Sequence, residues 1–291
     1  MASIMTNASA LTALQSLNAT NKNLETTQSR ISTGFRVAEA SDNAAYWSIA
    51  TTMRSDNKAL GTVQDALGLG ASKIDTAYTG MNKAIDTVNE IKVKLVAATG
   101  ATDQDKAKIQ TEVKALQDQL KSYADAATFS GTNMLSVSTA AGQTADVKIV
   151  SAFNRTAAGV ASISTIDVKV EDIKLFDAGA APAKKGMIDT ARLGTTGAFQ
   201  AATSGTLGTD AATDAYAVSS MQLTNGTLFA TDAQIGKMLT VTETALKEMT
   251  TAATNLGAAK QRVDLQKTFT QGLMDSIDRG IGQLVDADMN K

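Results

Sequence analysis

Two long segments without proline carry an apolar repeat of three and four residues, and this repeat constrains the fold more than any other feature. The 291-residue chain has a single proline, which lies outside both 42–98 and 232–290. Apolar residues at this spacing form one continuous stripe on a helix, and a partner helix must cover that stripe. At a rise of 1.5 Å per residue, each segment would form a helix of roughly 80 Å. The pattern therefore predicts a mainly α fold built on a coiled-coil-like helical rod.

The residues predicted to form the seam of this rod recur in steps of mostly three, four or seven. They are Leu60, Val63, Leu67, Ile74, Ile85, Val88, Ile91, Leu95, Leu116, Leu120, Leu239, Leu246, Met249, Leu256, Val263, Leu273, Ile277 and Leu284. A separate stripe near the start of the chain comprises Leu11, Leu14, Leu17, Leu24 and Ile31. Glycines within the first long segment indicate either close packing of another backbone or a local bend.

The composition changes twice along the chain. Residues 1–135 and 233–291 favour helix, whereas residues 136–232 are rich in Gly, Thr, Ser and short β-branched runs. Ile166, Val168 and Val170 alternate with polar residues, which predicts a strand with one wet face. Ser41 or Asp42 is the expected N-cap of the first long helix. Tyr46 and Trp47 follow directly, and we expect this aromatic pair to be buried at a joint between helices.

Composition excludes most catalytic and metal-binding chemistry. The chain has no Cys and no His, which removes thiol nucleophiles, histidine bases and His- or Cys-ligated metals. A formal net charge of −2 gives no electrostatic footprint for nucleic acid. Asp286 and Asp288 lack the Gly and terminal Glu of a calcium loop, so a solvated helix face is the preferred interpretation. We expect no enzymatic activity, no cofactor, no metal and no membrane insertion.

Several motifs, in order along the chain, resemble those of bacterial flagellins. The segment 29–50, SRISTGFRVAEASDNAAYWSIA, resembles the N-terminal flagellin signature. ATFSGTNML at 127–135 resembles the end of the N-terminal half, and LVDADMNK at 284–291 resembles part of the C-terminal half. The run YWSIATTMRSDNKAL resembles the alphaproteobacterial branch of the family. The resemblance implies a structural subunit of the flagellar filament, exported by the type III route and located outside the cell.

The resemblance also implies roles for segments. Residues 1–35 correspond to an inner-tube helix, 36–135 to the N-terminal half of the rod, 136–232 to a β-hairpin and small outer domain, and 233–291 to the C-terminal half of the rod. Implied partners are further copies of the chain, other flagellins, hook-associated and cap proteins, and an export chaperone. Flagellins usually continue past LVDADMNK into a second inner-tube helix, so we expect this sequence to be truncated and the N-terminal stripe to lack its usual cover.

Other positions align with the parts of flagellins that immune receptors perceive. The segment perceived by plant receptors contains Arg30, Gly34, Arg36, Asp42, Asn43, Tyr46 and Trp47. Asn89 stands where flagellins that activate animal receptors present an Arg. We expect weak recognition by both kinds of receptor.

Two alternatives remain open at this stage. One is a hook-associated, flagellin-like junction protein, which would be present in far fewer copies than a filament subunit. The other is a flagellin-like surface binding protein that uses its outer insert. The insert offers few aromatic residues for a carbohydrate site: Phe153, Phe176, Phe199, Tyr216 and Phe229.

Overall fold

The part of the chain that the structure describes folds into four α-helices and a strand-rich insert. The computed structural model describes residues 8–138, 146–156, 160–179, 185–200 and 203–288. The last three residues of the LVDADMNK motif, 289–291, lie outside the described part. The helices are α1 (Ala8–Thr33), α2 (Ala44–Ala98), α3 (Asp103–Ala126) and α4 (Asp232–Val285). Two of them, α2 with 55 residues and α4 with 54, are far longer than an ordinary globular helix. The predicted fold class, mainly α with long helices and a small β-rich insert, is confirmed.

The start of α2 differs from the expected position. Ser41 and Asp42 are both outside the cap position, and the cap is Asn43. Its side-chain oxygen accepts a hydrogen bond of 3.1 Å from the amide of Tyr46, and its carbonyl accepts one of 2.9 Å from Trp47. The Asp42 carboxylate instead accepts from the amides of Ala38 and Glu39, at 3.0 and 3.2 Å. Asp42 therefore stabilises the turn before α2, and Asn43 caps the helix.

A capping box defines the start of α4. The Thr231 hydroxyl accepts from the amide of Gln234 at 3.2 Å, and the Gln234 side chain accepts from the amide of Thr231 at 3.2 Å. This exchange satisfies two main-chain donors that the first turn of a helix leaves unpaired. The Gln234 side chain also donates 2.9 Å hydrogen bonds to the carbonyls of Thr206 and Thr209, so a loop of the insert is tied to the start of the helix.

The insert between α3 and α4 consists of short paired strands. They are β1 (Thr128–Phe129), β2 (Thr132–Asn133), β3 (Ser136–Val137), β4 (Val147–Arg155), β5 (Ala161–Val168), β6 (Phe176–Asp177), β7 (Ala191–Leu193), β8 (Phe199–Gln200), β9 (Ala215–Tyr216), β10 (Thr224–Asn225) and β11 (Leu228–Phe229). The pairs β1–β2, β4–β5 and β10–β11 are antiparallel, β3 and β6 are parallel, and β7 lies between β8 and β9. The alternation predicted at Ile166 and Val168 is present in β5, where both are buried, whereas Val170 lies in a 3-10 turn that follows the strand.

The chain divides into two compact units, with the divisions inside α2 and α4. The first comprises the described parts of Met1–Gln64 and Thr268–Lys291, and the second is Asp65–Lys267. A small core in the first unit consists of Val37, Ala50, Ile281 and Val285. In the second unit, buried residues of α2, α3 and α4 form the larger core, and ion pairs such as Lys92–Glu243 (2.8 Å) join α2 to α4.

Two glycines of α2 allow the insert to lie directly against the helix. A Cβ on Gly70 would lie 2.9 Å from Cδ1 of Ile149 in β4 and closer still to its Cγ2. A Cβ on Gly80 would lie 2.7 Å from Cδ1 of Leu135. Close packing, the first of the two reasons considered for glycine in this helix, therefore accounts for these two positions.

Candidate assembly surfaces

The apolar stripe of α1 is uncovered. Leu11, Leu14, Leu17, Leu24 and Ile31 are between 53% and 62% exposed. Every described side chain of α1 up to Ile31 is exposed, so no part of the chain that the structure describes covers this helix. The 26-residue helix thus carries a regular row of exposed apolar side chains, which is unusual on the surface of an isolated subunit.

The end of α1 and the end of α4 meet in a short segment that contains the S-T-G-x-R-V motif. Gly34 stops α1 with a φ of +76°, and its amide donates to the carbonyl of Arg30 at 2.8 Å. Glycine adopts this left-handed conformation without the steric cost that a Cβ would bring. The chain then pairs with the residues after α4, since the amide of Ala287 donates to the carbonyl of Gly34 at 2.9 Å and Phe35 forms a β-bridge with Asp286.

Arg36 caps the C-terminus of α4. Its guanidinium donates to the carbonyls of Leu284 (3.0 Å) and Gln283 (3.5 Å), and the amides of Arg36 and Val37 both donate to the carbonyl of Val285. The last carbonyls of a helix have no partner within the helix and carry partial negative charge, which a cation offsets. The N-terminal motif and LVDAD are therefore two halves of one joint.

The Asp42 carboxyl, in the turn after the S-T-G-x-R-V motif, is stabilised in its ionised form. Hydrogen bonds from the amides of Glu39 and Ala38, followed by the attraction of Arg30, hold the pKa of the Asp42 carboxyl below its ordinary value of 3.8.

Phe35 lies under the guanidinium of Arg54, with 5.4 Å from the Arg54 Cζ to the ring centroid. A groove of about 800 Å³ lies next to the joint and is lined by both cations and carboxylates, among them Arg30 and Asp288.

Tyr46 and Trp47 are not buried, which corrects the expectation from sequence. Tyr46 is 41% and Trp47 38% exposed, and Ile49 on the same turns is 49% exposed. The inward position of this part of α2 belongs to Ala50, which contacts the small core around Val37. The first turns of α2 thus present an aromatic and aliphatic surface to the outside.

The structure distributes the predicted seam residues over three degrees of burial. Leu60, Val63, Leu67, Ile74, Val88, Ile91, Leu95, Leu120, Met249, Leu256 and Val263 are buried. Ile85, Leu116, Leu239, Leu246, Ile277 and Leu284 are half-buried. Leu273 is exposed, and the buried residue of that turn of α4 is Thr270. The inward face of this part of α4 passes through Val263, Thr270 and the half-buried Ile277 at steps of seven, and Leu273 lies beside it.

Sequence reasoning missed several exposed apolar side chains. Phe269, 63% exposed, lies four residues before Leu273 on the same face of α4 in the first unit. In the second unit, Val93 and Val96 on α2 are also exposed, and Asn89, the position aligned with the animal-receptor contact, is exposed on the preceding turn. The spacing of four between Phe269 and Leu273 indicates one apolar helix face. Such a face in the sequence does not show whether it packs against the same chain or against another molecule.

The buried and half-buried lysines in and next to the insert form ion pairs with nearby carboxylates. The Lys174 ammonium, almost fully buried, lies 2.7 Å from Asp177 Oδ2 and 3.0 Å from Glu171 Oε1. Lys237 pairs with Asp210 and lies 3.4 Å from Asp214 Oδ2, which also accepts from the Tyr216 hydroxyl at 3.4 Å. Burial, followed by the charge of Asp214, raises the pKa of Tyr216 to about 12. Pairing of each buried charge is the usual condition for keeping it in a protein interior.

No group of three or more His, Cys, Asp or Glu side chains is placed to hold a metal ion within the described ranges. No helix in the same ranges combines the length and apolar character needed to cross a membrane.

The helical frame matches one protein family at both ends. The model of the bacterial flagellin N-terminal helical region matches residues 4–140, and that of the bacterial flagellin C-terminal helical region matches residues 239–291. A flagellin of Brucella melitensis biotype 1 is 46% identical over the whole of this chain and 88% of that protein. This chain belongs to the bacterial flagellin family. Flagellin C of Rhizobium meliloti is 47% identical over the whole chain and 89% of that protein, and Flagellin A of the same species is 40% identical.

Membership confirms the predicted family and function. As a flagellin, the chain is a structural subunit of the bacterial flagellar filament, an extracellular polymer. Flagellin is a structural protein rather than an enzyme. The relatives named above are alphaproteobacterial, in agreement with the branch indicated by the YWSIATTMRSDNKAL run.

Proposed function

We propose that this flagellin polymerises by covering the apolar stripe of α1 with helices of neighbouring copies. The observation that carries the proposal is the exposure of more than half of each side chain in the row Leu11, Leu14, Leu17, Leu24 and Ile31. Leaving so regular an apolar row in water is unfavourable, and association removes it from water. The residues predicted as the rod seam then stabilise each subunit, while α1 supplies the inner-tube contact.

Repetition of one contact is sufficient to build a filament. A surface that binds a different surface on the next copy forms an open helical polymer when the rotation between copies does not close a ring. The exposed surfaces of α1, of Tyr46 and Trp47 on α2, and of Phe269 on α4 are separate patches that suit such unlike contacts. In this assignment residues 1–35 line the inner tube, 36–135 and 233–291 form the rod, and 136–232 face the medium.

The test is a pair of substitutions on the stripe. Leu17→Asn with Leu24→Asn should leave helix content and thermal midpoint nearly unchanged, because both side chains are exposed in the subunit. The same variant should lose sedimentable filaments and swimming motility. Gln15→Asn with Thr26→Asn, which changes exposed residues on the opposite face of α1, is the matched control and should polymerise normally. Normal filaments from the leucine variant would refute the proposal.

We further propose that the subunit reaches the filament by type III export and shares it with other flagellins. Support for sharing comes from Rhizobium meliloti, for which relatives named Flagellin A, B, C and D all match this chain. The proposed partners are those flagellins, an export chaperone, and the hook-associated and cap proteins at the filament ends. Mass spectrometry of sheared filaments, compared between a wild-type strain and a strain without a functional type III export gate, tests this. Appearance of the subunit in the medium of the gate mutant would contradict it.

We also propose that the chain activates flagellin receptors weakly. In the plant-receptor segment, Oδ2 of Asp42 accepts from two main-chain amides and Oδ1 of Asn43 caps α2, so a receptor that used these oxygens would compete with the subunit's own hydrogen bonds. Asn89 is exposed but uncharged. Asn89→Arg should raise activation of the animal receptor, with Asn82→Arg on the same helix as the control. Equal activation by the wild-type chain and Asn89→Arg would refute the role of this position.

A further inference from the structure

The hairpin formed by β10 and β11 carries an Asn-Gly dipeptide at its tip. Asn225 is the only asparagine of the chain that is followed by glycine. The ladder pairs Thr224 with Phe229 and Asn225 with Leu228, which leaves Gly226 and Thr227 as a two-residue loop. We propose that Asn225 is a spontaneous deamidation site, at which the chain converts its own asparagine into a mixture of isoaspartate and aspartate.

The reaction needs only the chain and water. The main-chain nitrogen of Gly226, after losing its proton to solvent, bonds to Cγ of Asn225, and the bond from Cγ to Nδ2 breaks. The leaving nitrogen takes up protons and departs as ammonia, which leaves a five-membered cyclic imide. Water then adds across one of the two imide bonds to nitrogen. Opening at the main-chain carbonyl of Asn225 gives isoaspartate, and opening at Cγ gives aspartate.

The geometry of the hairpin tip favours the first step. Gly226 has no Cβ to shield its nitrogen, and a Cβ placed there would have no atom within 4 Å, so the space around it is open. Its φ of +65° fits the first loop position of a type II′ hairpin, which glycine favours. Asn225, Gly226 and Thr227 are all exposed, so both hydroxide and the hydrolysing water reach the site.

The product would change this hairpin and little else. Isoaspartate adds one carbon to the main chain between Asn225 and Gly226, and either product adds one negative charge to a chain of formal charge −2. The neighbouring residues are anchored independently: the amide of Ala230 donates to the carbonyl of Leu223 at 2.8 Å, and Lys106 donates to the carbonyl of Ala230 at 2.9 Å. We therefore expect altered pairing of Asn225 with Leu228 without loss of the fold.

The experiment is peptide mass spectrometry of the purified full chain after incubation at neutral and at mildly alkaline pH. Asn225 should gain the mass difference between an amide and an acid at least about tenfold faster than Asn154 and Asn89, which are exposed but precede residues with a Cβ. An isoaspartate methyltransferase assay should detect isoaspartate in the same peptide. The rate should rise with pH, since the attacking nitrogen must lose a proton.

Two variants separate the chemistry from damage to the hairpin. Asn225→Gln keeps an amide but would need a larger ring, and Gly226→Ala shields the nitrogen, so each should slow the conversion by about tenfold. Unchanged circular dichroism of Asn225→Gln shows that the fold is kept. Deamidation at Asn225 no faster than at Asn154, or a mixture that contains aspartate without isoaspartate, would overturn the proposal.

Discussion

The guanidinium of Arg36 donates a hydrogen bond of 3.0 Å to the main-chain carbonyl of Leu284, so an N-terminal side chain caps the C-terminal helix. Together with the amides of Arg36 and Val37 on the Val285 carbonyl, this contact satisfies the end of α4. These contacts bring the S-T-G-x-R-V and LVDAD motifs together in the folded subunit.

Removal of this cap should destabilise the first unit. Because the Arg36 side chain is exposed, Arg36→Ala is expected to lower the free energy of unfolding by about 1 kcal/mol, the upper end for a surface cation at a helix C-terminus. Arg36→Lys keeps the charge but loses the forked geometry, and should recover only part of the loss. Thermal denaturation followed by circular dichroism measures both. Equal stability of Arg36→Ala and wild type would show that water caps the helix equally well.

Acid should weaken the turn before α2 through Asp42. Its folded-state pKa is depressed below 3.8 by the amides of Glu39 and Ala38, so its contribution is present above that value and disappears as the pH falls below it toward the folded-state pKa. Asp42→Asn should be less stable than wild type at neutral pH, and the difference should shrink in strong acid. Denaturant unfolding at a series of pH values measures this, and Asp65→Asn, which changes an exposed residue of α2, serves for comparison. A difference that does not depend on pH would contradict the assignment.

Alkali should affect the insert through Tyr216. Burial and Asp214 raise its pKa to about 12, so its stabilising contribution is complete below pH 10 and is lost as the pH rises through about 12. Ultraviolet absorbance of the phenolate should show one tyrosine that titrates late, and Tyr216→Phe should remove that step. The control is Tyr46→Phe, which changes an exposed tyrosine. Loss of the late step in the control instead would place the perturbed group elsewhere.

Two neighbouring glycines of α2 should respond oppositely to alanine. Gly70→Ala forces a methyl group against Ile149 and should cost about 1–3 kcal/mol through overpacking. Gly68→Ala meets no atom within 4 Å and should gain up to about 1 kcal/mol from higher helix propensity. Thermal midpoints of the two variants measure the contrast. Stabilisation by both would mean that β4 can move away from the helix at little cost.

The long helices were predictable because helical periodicity is a local property of the chain. Which side of a helix faces its partner depends on distant parts of the chain. This accounts for the wrong prediction at Leu273, which is exposed, whereas Thr270 is the buried residue of that turn. The cap of α2 was missed for a related reason. Ser41, Asp42 and Asn43 are all residue types that suit an N-cap. The Asp42 carboxylate accepts hydrogen bonds from the amides of Ala38 and Glu39 in the preceding turn, and Asn43 is the N-cap.

The burial of the aromatic pair was a different kind of error. Tyr46 and Trp47 were expected inside because large apolar groups usually gain from burial. The small core of the first unit consists instead of Val37, Ala50, Ile281 and Val285, with Met53, Ile277 and Leu284 packed against it. In a chain that assembles, exposed aromatic residues are available to a neighbouring copy. A single sequence does not show whether an aromatic residue is buried within its own subunit or contacts another copy.

The contact between Arg36 and Leu284 joins residues that are 248 positions apart. Closing so long a loop carries a large entropic cost before any contact repays it, and such contacts form slowly. The first 64 residues therefore cannot complete their unit until the last helix has arrived. During synthesis, this joint can form only after the chain has been extended past Leu284.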